Sequence, residues 1–415
     1  MNSAQISGHY LLLQGSTPVY VDRQGGKWLD NLWAIDAREH LTSIADFHIA
    51  SPFVPIEQAD EHMSAIDSDP LLSRIHFIEL PHTGSRAKAL IQLPRTIIAM
   101  WAAIGRADIV HMGIVGWPYP LGWLGLPMAS LRGKKTIVVV ESAPWRNASA
   151  GDASVFQRLQ AWIYELLGRQ VVRHCALRFF TTGSYRRSFC GDRLDNAHIV
   201  QATWIPEDQI IGDAQLEAVT ARPLATSAKV RMAFFGRLVT EKGVLFLLDA
   251  MAAMGDQGSI ELDIYGEGPE ESSIKQALST NPRLANVRFR GTLSYGSALF
   301  NRLREYDYLV VPSLSDEQPR IVYDAYSQGV PVIASDTEGL RQCVQEGYTG
   351  AFFKPGAIHE LTQMASTLAS SDGRARRIQW ARNAVAVARR MTHPAMHASR
   401  AQLIADFIKE KQETD

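Results

Sequence analysis

Short apolar runs alternate with longer, helix-spaced patterns along the whole chain. In the first half, runs of strand length are at residues 10–14, 47–51, 75–80, 108–112, 136–142 and 176–182. Between them, residues 27–41, 86–104 and 155–174 carry apolar positions at helical spacing. Continuous β-branched runs such as TIVVV suit strands that are covered on both faces. This half therefore predicts a parallel α/β sheet.

The second half repeats the alternation. It predicts strands at 230–236, 260–266, 286–291, 308–313, 331–335 and 350–354, and helices at 244–254, 270–278, 296–305, 321–328 and 338–345. The polar, weakly periodic segment 208–229 predicts a linker between an N-terminal domain, 1–207, and a C-terminal domain, 230–385. Helical patterns then continue with a break near Pro394. We expect the final helix, within 386–415, to pack back on the N-terminal domain.

Composition limits the function classes that need to be considered. The chain has 415 residues, of which 46% are hydrophobic and 20% charged, and this suits two folded domains. A formal net charge of −1 argues against a nucleic-acid partner. The three cysteines lack metal-ligand spacing and indicate a reducing compartment. We find no signal-peptide pattern and no run of roughly 20 apolar residues, so we expect a cytoplasmic protein.

A cationic loop follows the first strand of the second half. Residues 236–243, GRLVTEKG, place Arg237 directly after a glycine and Lys242 at the threshold of the next helix. Arginine offers a bidentate fork and lysine a compact charge, so the pair can stabilise a departing diphosphate in place of a metal ion. The alternative is a surface ion pair with Glu241, which would contribute little.

A second loop carries carboxylates on either side of a helix start. Residues 315–325, SDEQPRIVYDA, follow a strand, and Pro319 suits the opening of the next helix. Free amides there can hold phosphate oxygens, and Asp324, one turn in, can accept hydrogen bonds from ribose hydroxyls. Asp316 or Glu317 can reach sugar hydroxyls. The alternative is that these carboxylates only complement the helix dipole, which explains Asp324 poorly.

Residues 230–356 resemble the C-terminal domain of the retaining family 4 glycosyltransferases of GT-B architecture (glycosyl transferases group 1). Three motifs carry the resemblance: G-R-x-x-x-E-K-G at 236–243, Y-G-x-G-P at 265–269, and two acidic residues followed by G-x-P-V-I-A at 329–334. The acidic pair is Asp316 and Asp324, where the family usually has glutamates. The resemblance implies two Rossmann-like, doubly wound parallel-sheet domains that face a central cleft.

The resemblance also implies roles for individual residues. Arg237 and Lys242 would bind the donor diphosphate, Asp324 the ribose, and Asp316 the transferred hexose, with Glu317 as the alternative sugar contact. The other donor-site residues that it implies are Gly236, Gly266, Gly268, Pro269, Pro319, Arg320, Ile321 and Val322. We predict a retaining glycosyltransferase that moves a hexose from a nucleoside diphosphate sugar to a glycan or lipid-linked acceptor, with no metal and no prosthetic group. The expected setting is bacterial cell-surface or exopolysaccharide assembly.

The N-terminal half matches the family more loosely. Gly25 and Gly26, before a helix expected near Lys27, resemble the glycine loop that approaches the donor phosphates, although an ordinary turn explains them equally well. His111, at a D-I-V-H strand end, is either a ligand of the site or a packed histidine. Glu141 is positioned to contact the acceptor or the donor sugar, or to cap a loop.

A basic and apolar segment suggests a membrane contact. Arg132, Lys134 and Lys135, together with Arg186 and Arg187, can form a basic rim beside the apolar run 117–128. Such a face suits a peripheral enzyme on the inner side of the cell membrane.

Two other functions share this architecture. A sugar-nucleotide epimerase would need a pair of acid/base carboxylates in the N-terminal domain, and the sequence offers no convincing pair. A donor-binding partner subunit without catalytic activity is the non-enzyme alternative, supported only by the aspartates at positions 316 and 324.

Overall fold

A computed structural model describes residues 4–58, 63–116, 118–148, 154–221, 229–255, 260–316 and 318–414. Contacts between Cα atoms divide the chain into two compact units, Met1–Gln201 with His397–Asp415, and Ala202–Met396. The segment 208–229, which we expected to be a linker, lies within the second unit and contains a helix at Asp213–Thr220. The last helix begins at His393, at the predicted break, and from His397 onward it belongs to the first unit.

The first unit alternates strands and helices. Its strands are β1 (Ile6–Leu13), β2 (Val19–Val21), β3 (Lys27–Asp30), β4 (Ile44–Pro55), β5 (Met63–Ala65), β6 (His76–Leu80), β7 (Ile109–Gly113), β8 (Lys135–Val140), β9 (Leu177–Phe180) and β10 (Ala197–Ile199). Its helices are α1 (Asn31–Leu41), α2 (Arg86–Arg106), α3 (Gly122–Leu131), α4 (Pro144–Ala148), α5 (Val155–His174) and α6 (Gly183–Cys190).

The main sheet of this unit is parallel. Its strands lie in the order β10-β9-β8-β7-β1-β4, with β6 paired to β4 on the far side, and β2, β3 and β5 extend it through an antiparallel ribbon. On one face, Leu11 and Leu13 of β1 pack with Met100 and Ile104 of α2. The near-continuous apolar strands follow from this burial, because helices cover the central strands on both faces.

One predicted element is wrong at its start. We expected a helix over 27–41, but Lys27–Asp30 forms β3, which pairs antiparallel with β2 and β5, and the helix begins only at Asn31. The side chain of Asp30 accepts hydrogen bonds from the amides of Leu32 and Trp33, so it caps the shorter helix. Tertiary pairing and this cap together move the helix start by one turn.

The second unit is also a parallel α/β sheet, so the predicted fold class is confirmed. Its strands are β11 (Val230–Phe235), β12 (Ile260–Tyr265), β13 (Val287–Gly291), β14 (Tyr308–Val311), β15 (Val332–Ser335) and β16 (Gly350–Phe353). Its helices are α7 (Asp213–Thr220), α8 (Val244–Met254), α9 (Glu271–Thr280), α10 (Ser297–Leu303), α11 (Ile321–Ser327), α12 (Glu338–Arg341), α13 (Ile358–Ala369) and α14 (Ser371–Ala388). The final helix, α15, is His393–Thr414.

The strand order of the second unit creates a switch point. The order is β13-β12-β11-β14-β15-β16, so the chain moves outward from β11 in one direction and then returns to its other side with β14. Ligands of doubly wound folds bind outside the carboxyl ends of the strands at such a point. Within the described residues, no helix combines the length and apolar character that crossing a bilayer demands.

Candidate functional site

Three loops meet at the carboxyl ends of β11, β12 and β14. The amide of Gly236 donates to the carbonyl of Tyr265 at 3.1 Å, and the amide of Leu238 donates to the carbonyl of Glu267 at 2.8 Å. On the other side, the amide of Leu314 donates to the carbonyl of Glu241 at 2.8 Å. The backbone of the β11 loop is therefore fixed from both neighbouring strands before any side chain is considered.

Glycines permit this close backbone approach. Gly266 has a φ of +138°, and a Cβ there would lie well inside 3.0 Å of the carbonyl oxygen of Gly236. Gly243 has a φ of +71°, and a Cβ there would collide with the carbonyl oxygen of Pro312 in the same way. Both positions combine a left-handed backbone with a lack of space for any side chain, so the glycines in the two motifs have a structural cause.

The loops enclose a cavity of about 370 Å³. Several predicted donor-site residues line it together, although they come from three separate segments of the chain: Gly236, Arg237, Lys242, Gly266, Pro319, Arg320, Ile321 and Asp324. The remaining wall is mostly aromatic and apolar, with Phe235, Tyr265 and Tyr295 among its residues. A cavity of this size has cations at one part and a buried carboxyl at another. It suits a small molecule with negative charge at one end and hydrogen-bond donors at the other.

The two predicted cations differ in their surroundings. Arg237 is exposed, and among the described residues the structure shows no ion pair between it and Glu241. Lys242 is half-buried between the β11 and β14 loops and lines the same cavity. The interpretation of Arg237 as one member of a surface ion pair with Glu241 is therefore not supported. Both residues line the same cavity.

Asp324 is the most perturbed acidic group of the cavity. Its side chain is 3% exposed, and burial raises the pKa of its carboxyl to about 7, with Arg320 acting in the opposite direction. The Tyr295 hydroxyl lies 3.2 Å from Oδ1 of Asp324 and 2.9 Å from the carbonyl oxygen of Trp204. Because a hydroxyl carries one proton, a protonated Asp324 allows both contacts to be hydrogen bonds at once. The carboxyl therefore changes its charge near neutral pH.

The structure gives other predicted residues different surroundings. Oδ1 of Asp316 accepts a hydrogen bond from the amide of Gly339 at 2.5 Å, so this carboxylate holds the start of α12. Val322 is fully buried, and its amide donates to the carbonyl of Pro319. Gly268 and Pro269 follow Gly266 but do not line the cavity, and the amide of Glu270 donates to Leu238. Glu317 lies outside the described residues.

The four candidates of the first unit have separate positions. Gly25 and Gly26 form the turn between β2 and β3, where the carboxylate of Asp22 accepts from the amide of Gly26, so our expectation that they precede a helix is wrong. His111 is buried within β7, and its Nδ1 lies 2.9 Å from the hydroxyl of Tyr10. Burial lowers the pKa of His111 well below its ordinary value. Glu141 is exposed at the carboxyl end of β8.

Sequence reasoning missed the residues that surround Asp324. Tyr295 follows β13, and Trp204 lies near the start of the second unit, where the guanidinium of Arg320 is 4.9 Å from its ring centroid. Neither residue belongs to a recognisable motif. The contacts of Trp204 with Tyr295 and Arg320 join segments that are about a hundred positions apart, and Tyr295 is 29 positions from Asp324. A buried aspartate one turn inside a helix was the single available signal.

Part of the second unit matches a known protein family. The family model for glycosyl transferases group 1 matches residues 229–371. Protein CapJ of Staphylococcus aureus is 23% identical over 70% of this chain and 70% of its own length. Phosphatidyl-myo-inositol mannosyltransferase of Mycobacterium leprae is 25% identical over 71% of this chain and 73% of its own.

A solved structure shares the fold over nearly the full length. The crystal structure of Anabaena Alr3699/HepE in complex with UDP-glucose superposes with a TM-score of 0.65, covering 97% of this chain and all of that one. The sequences are 16% identical, so this likeness concerns the fold alone.

Proposed function

We propose that this chain, a glycosyltransferase of GT-B fold whose residues 229–371 match the glycosyl transferases group 1 model, transfers a hexose from a nucleoside diphosphate sugar with retention of configuration. The single observation that carries the proposal is the cavity of the second unit, which collects Arg237, Lys242 and Asp324. The neighbour that contains UDP-glucose supports a donor of this chemical class.

The cations would act on the leaving group. When the bond between the anomeric carbon and the diphosphate oxygen breaks, negative charge grows on the diphosphate. Arg237 can bind two of its oxygens through its planar fork, and Lys242 adds a compact charge from the adjacent turn. Fixed charges that face developing charge in a partly enclosed cavity contribute more than they would in water. We propose that this pair stabilises the leaving diphosphate in place of a metal ion.

Asp324 would hold the nucleoside end of the donor. An ionised carboxylate accepts hydrogen bonds from two ribose hydroxyls. Donor binding would therefore replace the contact between Asp324 and Tyr295, or stabilise the ionised form of the Asp324 carboxyl. The burial of Asp324 makes each such bond valuable, because few water molecules compete for it. For the hexose, Asp316 and Glu317 remain the proposed contacts, with Asp316 also holding α12.

The test is donor binding followed by product analysis. UDP-, GDP- and ADP-hexoses are screened by thermal shift, and we expect one nucleotide series to raise the Tm because it binds the native state alone. The labelled donor is then incubated with candidate acceptors, and NMR assigns the anomeric configuration of the product. Transfer with inversion, release of an epimerised nucleotide sugar, or donor binding without transfer would each contradict the proposal.

We further propose that the acceptor is lipid-linked and that the first unit contacts an anionic membrane. Helices α2 and α5 expose large apolar side chains, with Ile91 75% and Trp162 61% accessible. From Arg86 to Lys135 the sequence has seven basic residues and a single acidic one, Asp108. Arg86 lies 5.8 Å from the ring centroid of Phe156, which places the beginnings of the two helices together.

An exposed apolar face with basic residues suits a membrane surface. Part of it is a groove of about 310 Å³ lined by residues such as Leu90, Leu93 and Trp123. The relative from Mycobacterium leprae takes its name from a phosphatidyl-myo-inositol acceptor, which supports a lipid-linked substrate for this chain as well. The proposed location is therefore peripheral, on the inner face of the cell membrane.

Vesicle flotation tests the membrane contact. We expect the full chain to float with vesicles that contain phosphatidylglycerol and not with pure phosphatidylcholine. Ile91→Ser and Trp162→Ser should each weaken binding by about tenfold to a hundredfold, because each removes roughly 1.5–3 kcal/mol of apolar burial. Tyr348→Ser, at an aromatic position of the second unit that is 41% exposed, is the control. Unchanged flotation of both helix variants would overturn the membrane proposal and leave the donor proposal intact.

A further inference from the structure

A second group of polar side chains lies in the first unit, toward the amino ends of β1, β4 and β6. In the strand register, His9 is opposite Asp46 and His48 is opposite His76. Side chains two residues apart on one strand share a face, as do paired residues on neighbouring strands. The three histidines and the aspartate therefore project from the same face of the sheet.

The side chains are close to one another. The ring of His48 stacks on His9 with centroids 3.6 Å apart and on His76 with centroids 4.6 Å apart. Nε2 of His48 lies 2.7 Å from Oδ1 of Asp46, and Nδ1 of His9 lies 3.4 Å from Oδ2 of the same carboxylate. One ligand atom from each of His9, Asp46 and His48 falls within 4.8 Å of the others.

These separations approach those of a metal site. Zn²⁺ bonds of about 2.0–2.1 Å in a tetrahedral arrangement place ligand atoms about 3.3 Å apart. The distance between His9 and Asp46 already has this value, and it is too long for a good hydrogen bond. Small side-chain rotations would bring His48 to the same spacing, and His76 is exposed beside it.

We propose that His9, Asp46 and His48, completed by His76, bind a divalent transition metal, with Zn²⁺ as the best match. Imidazole nitrogens with one carboxylate form a ligand set that Zn²⁺ accepts in tetrahedral geometry. The ion would connect three neighbouring parallel strands. Its role is structural, because the donor cavity lies in the other unit, and it does not depend on the proposed transfer reaction.

Another group of potential ligands, Asp36, His40 and His397, fits an ion less well. All three residues are buried, so an ion has no exposed side chain of this group through which to enter. The His9 cluster, in contrast, has exposed members through which an ion can enter. The two groups make opposite predictions for substitution, so an experiment can separate them.

The experiment uses the full chain, prepared without a histidine tag and stripped of metal by dialysis against a chelator. Zn²⁺ is titrated in competition with a chromophoric chelator, and Co²⁺ is added separately to record its d–d absorption spectrum. We expect one Zn²⁺ per chain, an intense tetrahedral Co²⁺ spectrum, and a rise in Tm of a few degrees or more when Zn²⁺ is bound.

Substitutions at the cluster provide the specific test. His48→Gln and Asp46→Asn should each lower Zn²⁺ affinity by about tenfold or more and remove the Co²⁺ spectrum, since each loses a direct ligand. His359→Gln, an exposed histidine of α13, is the control and should bind as the parent does. Absence of Zn²⁺ binding by the parent, or a loss caused by His397→Gln instead of His48→Gln, would overturn the proposal. Circular dichroism of each apo variant verifies folding.

Discussion

The two units place their polar residues in different parts of a parallel α/β fold: after a strand end in the second unit, and within a strand and a packed helix in the first. In the second unit, Arg237 and Lys242 lie in the loop after β11 and face a cavity. In the first unit, His111 lies inside a central strand and contacts Tyr10, and His397 contacts Asp36 from the final helix. The loop after β11 leaves its side chains available to a ligand, whereas β7 and the final helix commit these histidines to internal partners. Position within the fold therefore separates candidates that look alike in sequence.

The largest expected effect is on catalysis in the second unit. Arg237→Ala and Lys242→Ala should each reduce kcat/KM by about 10²–10³, since each removes a charge that stabilises the leaving diphosphate. Lys275→Ala, an exposed lysine of α9 that pairs with Glu271, is the control and should change little. Steady-state kinetics with the preferred donor measures the ratio. Near-parent rates for both cavity variants would remove the basis of the comparison.

The glycines of the cavity predict the next effect, on stability. Gly266→Ala should destabilise the protein by about 3 kcal/mol, the sum of left-handed strain and forced displacement of the Gly236 carbonyl. Gly347→Ala, at a φ of +70° with open space around its Cβ position, should cost only about 1–2 kcal/mol. Urea unfolding followed by circular dichroism compares the two. Equal losses would show that the close backbone contact is unimportant.

The pKa of Asp324 predicts a pH dependence of about tenfold. Because the carboxyl titrates near pH 7 and the ribose requires its charged form, donor affinity should fall about tenfold from pH 8 to pH 6. Calorimetry at several pH values measures this slope, which Asp324→Asn should abolish. A raised carboxyl pKa also means that the native state binds more protons than the unfolded state, so stability declines as pH rises from about 4 to 7. The asparagine variant should lack this decline.

The smallest effect concerns the first unit and sharpens the contrast. Tyr10→Phe removes the hydroxyl next to Nδ1 of His111 and should cost about 1–2 kcal/mol of stability. We expect kcat/KM to stay near the parent value, because the pair belongs to the interior. Tyr348→Phe, on an exposed side chain, serves as the reference. A large loss of activity with unchanged Tm would instead place His111 in the site.

Sequence predicted most of the second unit because its chemistry is concentrated in short segments. The helix predicted at 244–254 matches α8, and Arg237 of the β11 loop and Asp324 of α11 do line one cavity. Each depends on a strand end followed by a helix start, which apolar periodicity and glycine positions reveal. The catalytic and binding roles of these residues stay predictions.

The remainder depends on contacts between distant segments. Residues 27–30 form a strand because β2 and β5 flank them, which no local pattern shows. Tyr295 joins Asp324 to Trp204 across the sequence. The cluster of His9 and His48 emerges only when the register of β1, β4 and β6 is known. Single histidines separated by many positions carry no motif.

The backbone contact between Gly266 and Gly236 has a consequence for redesign. A wall made of main chain pressed against main chain tolerates no new side chain, so it offers little freedom for changing which donor fits. Thr292 and Leu293 line the same cavity with side chains instead. Attempts to exchange one nucleotide sugar for another should begin by varying those two positions and leave the glycines untouched.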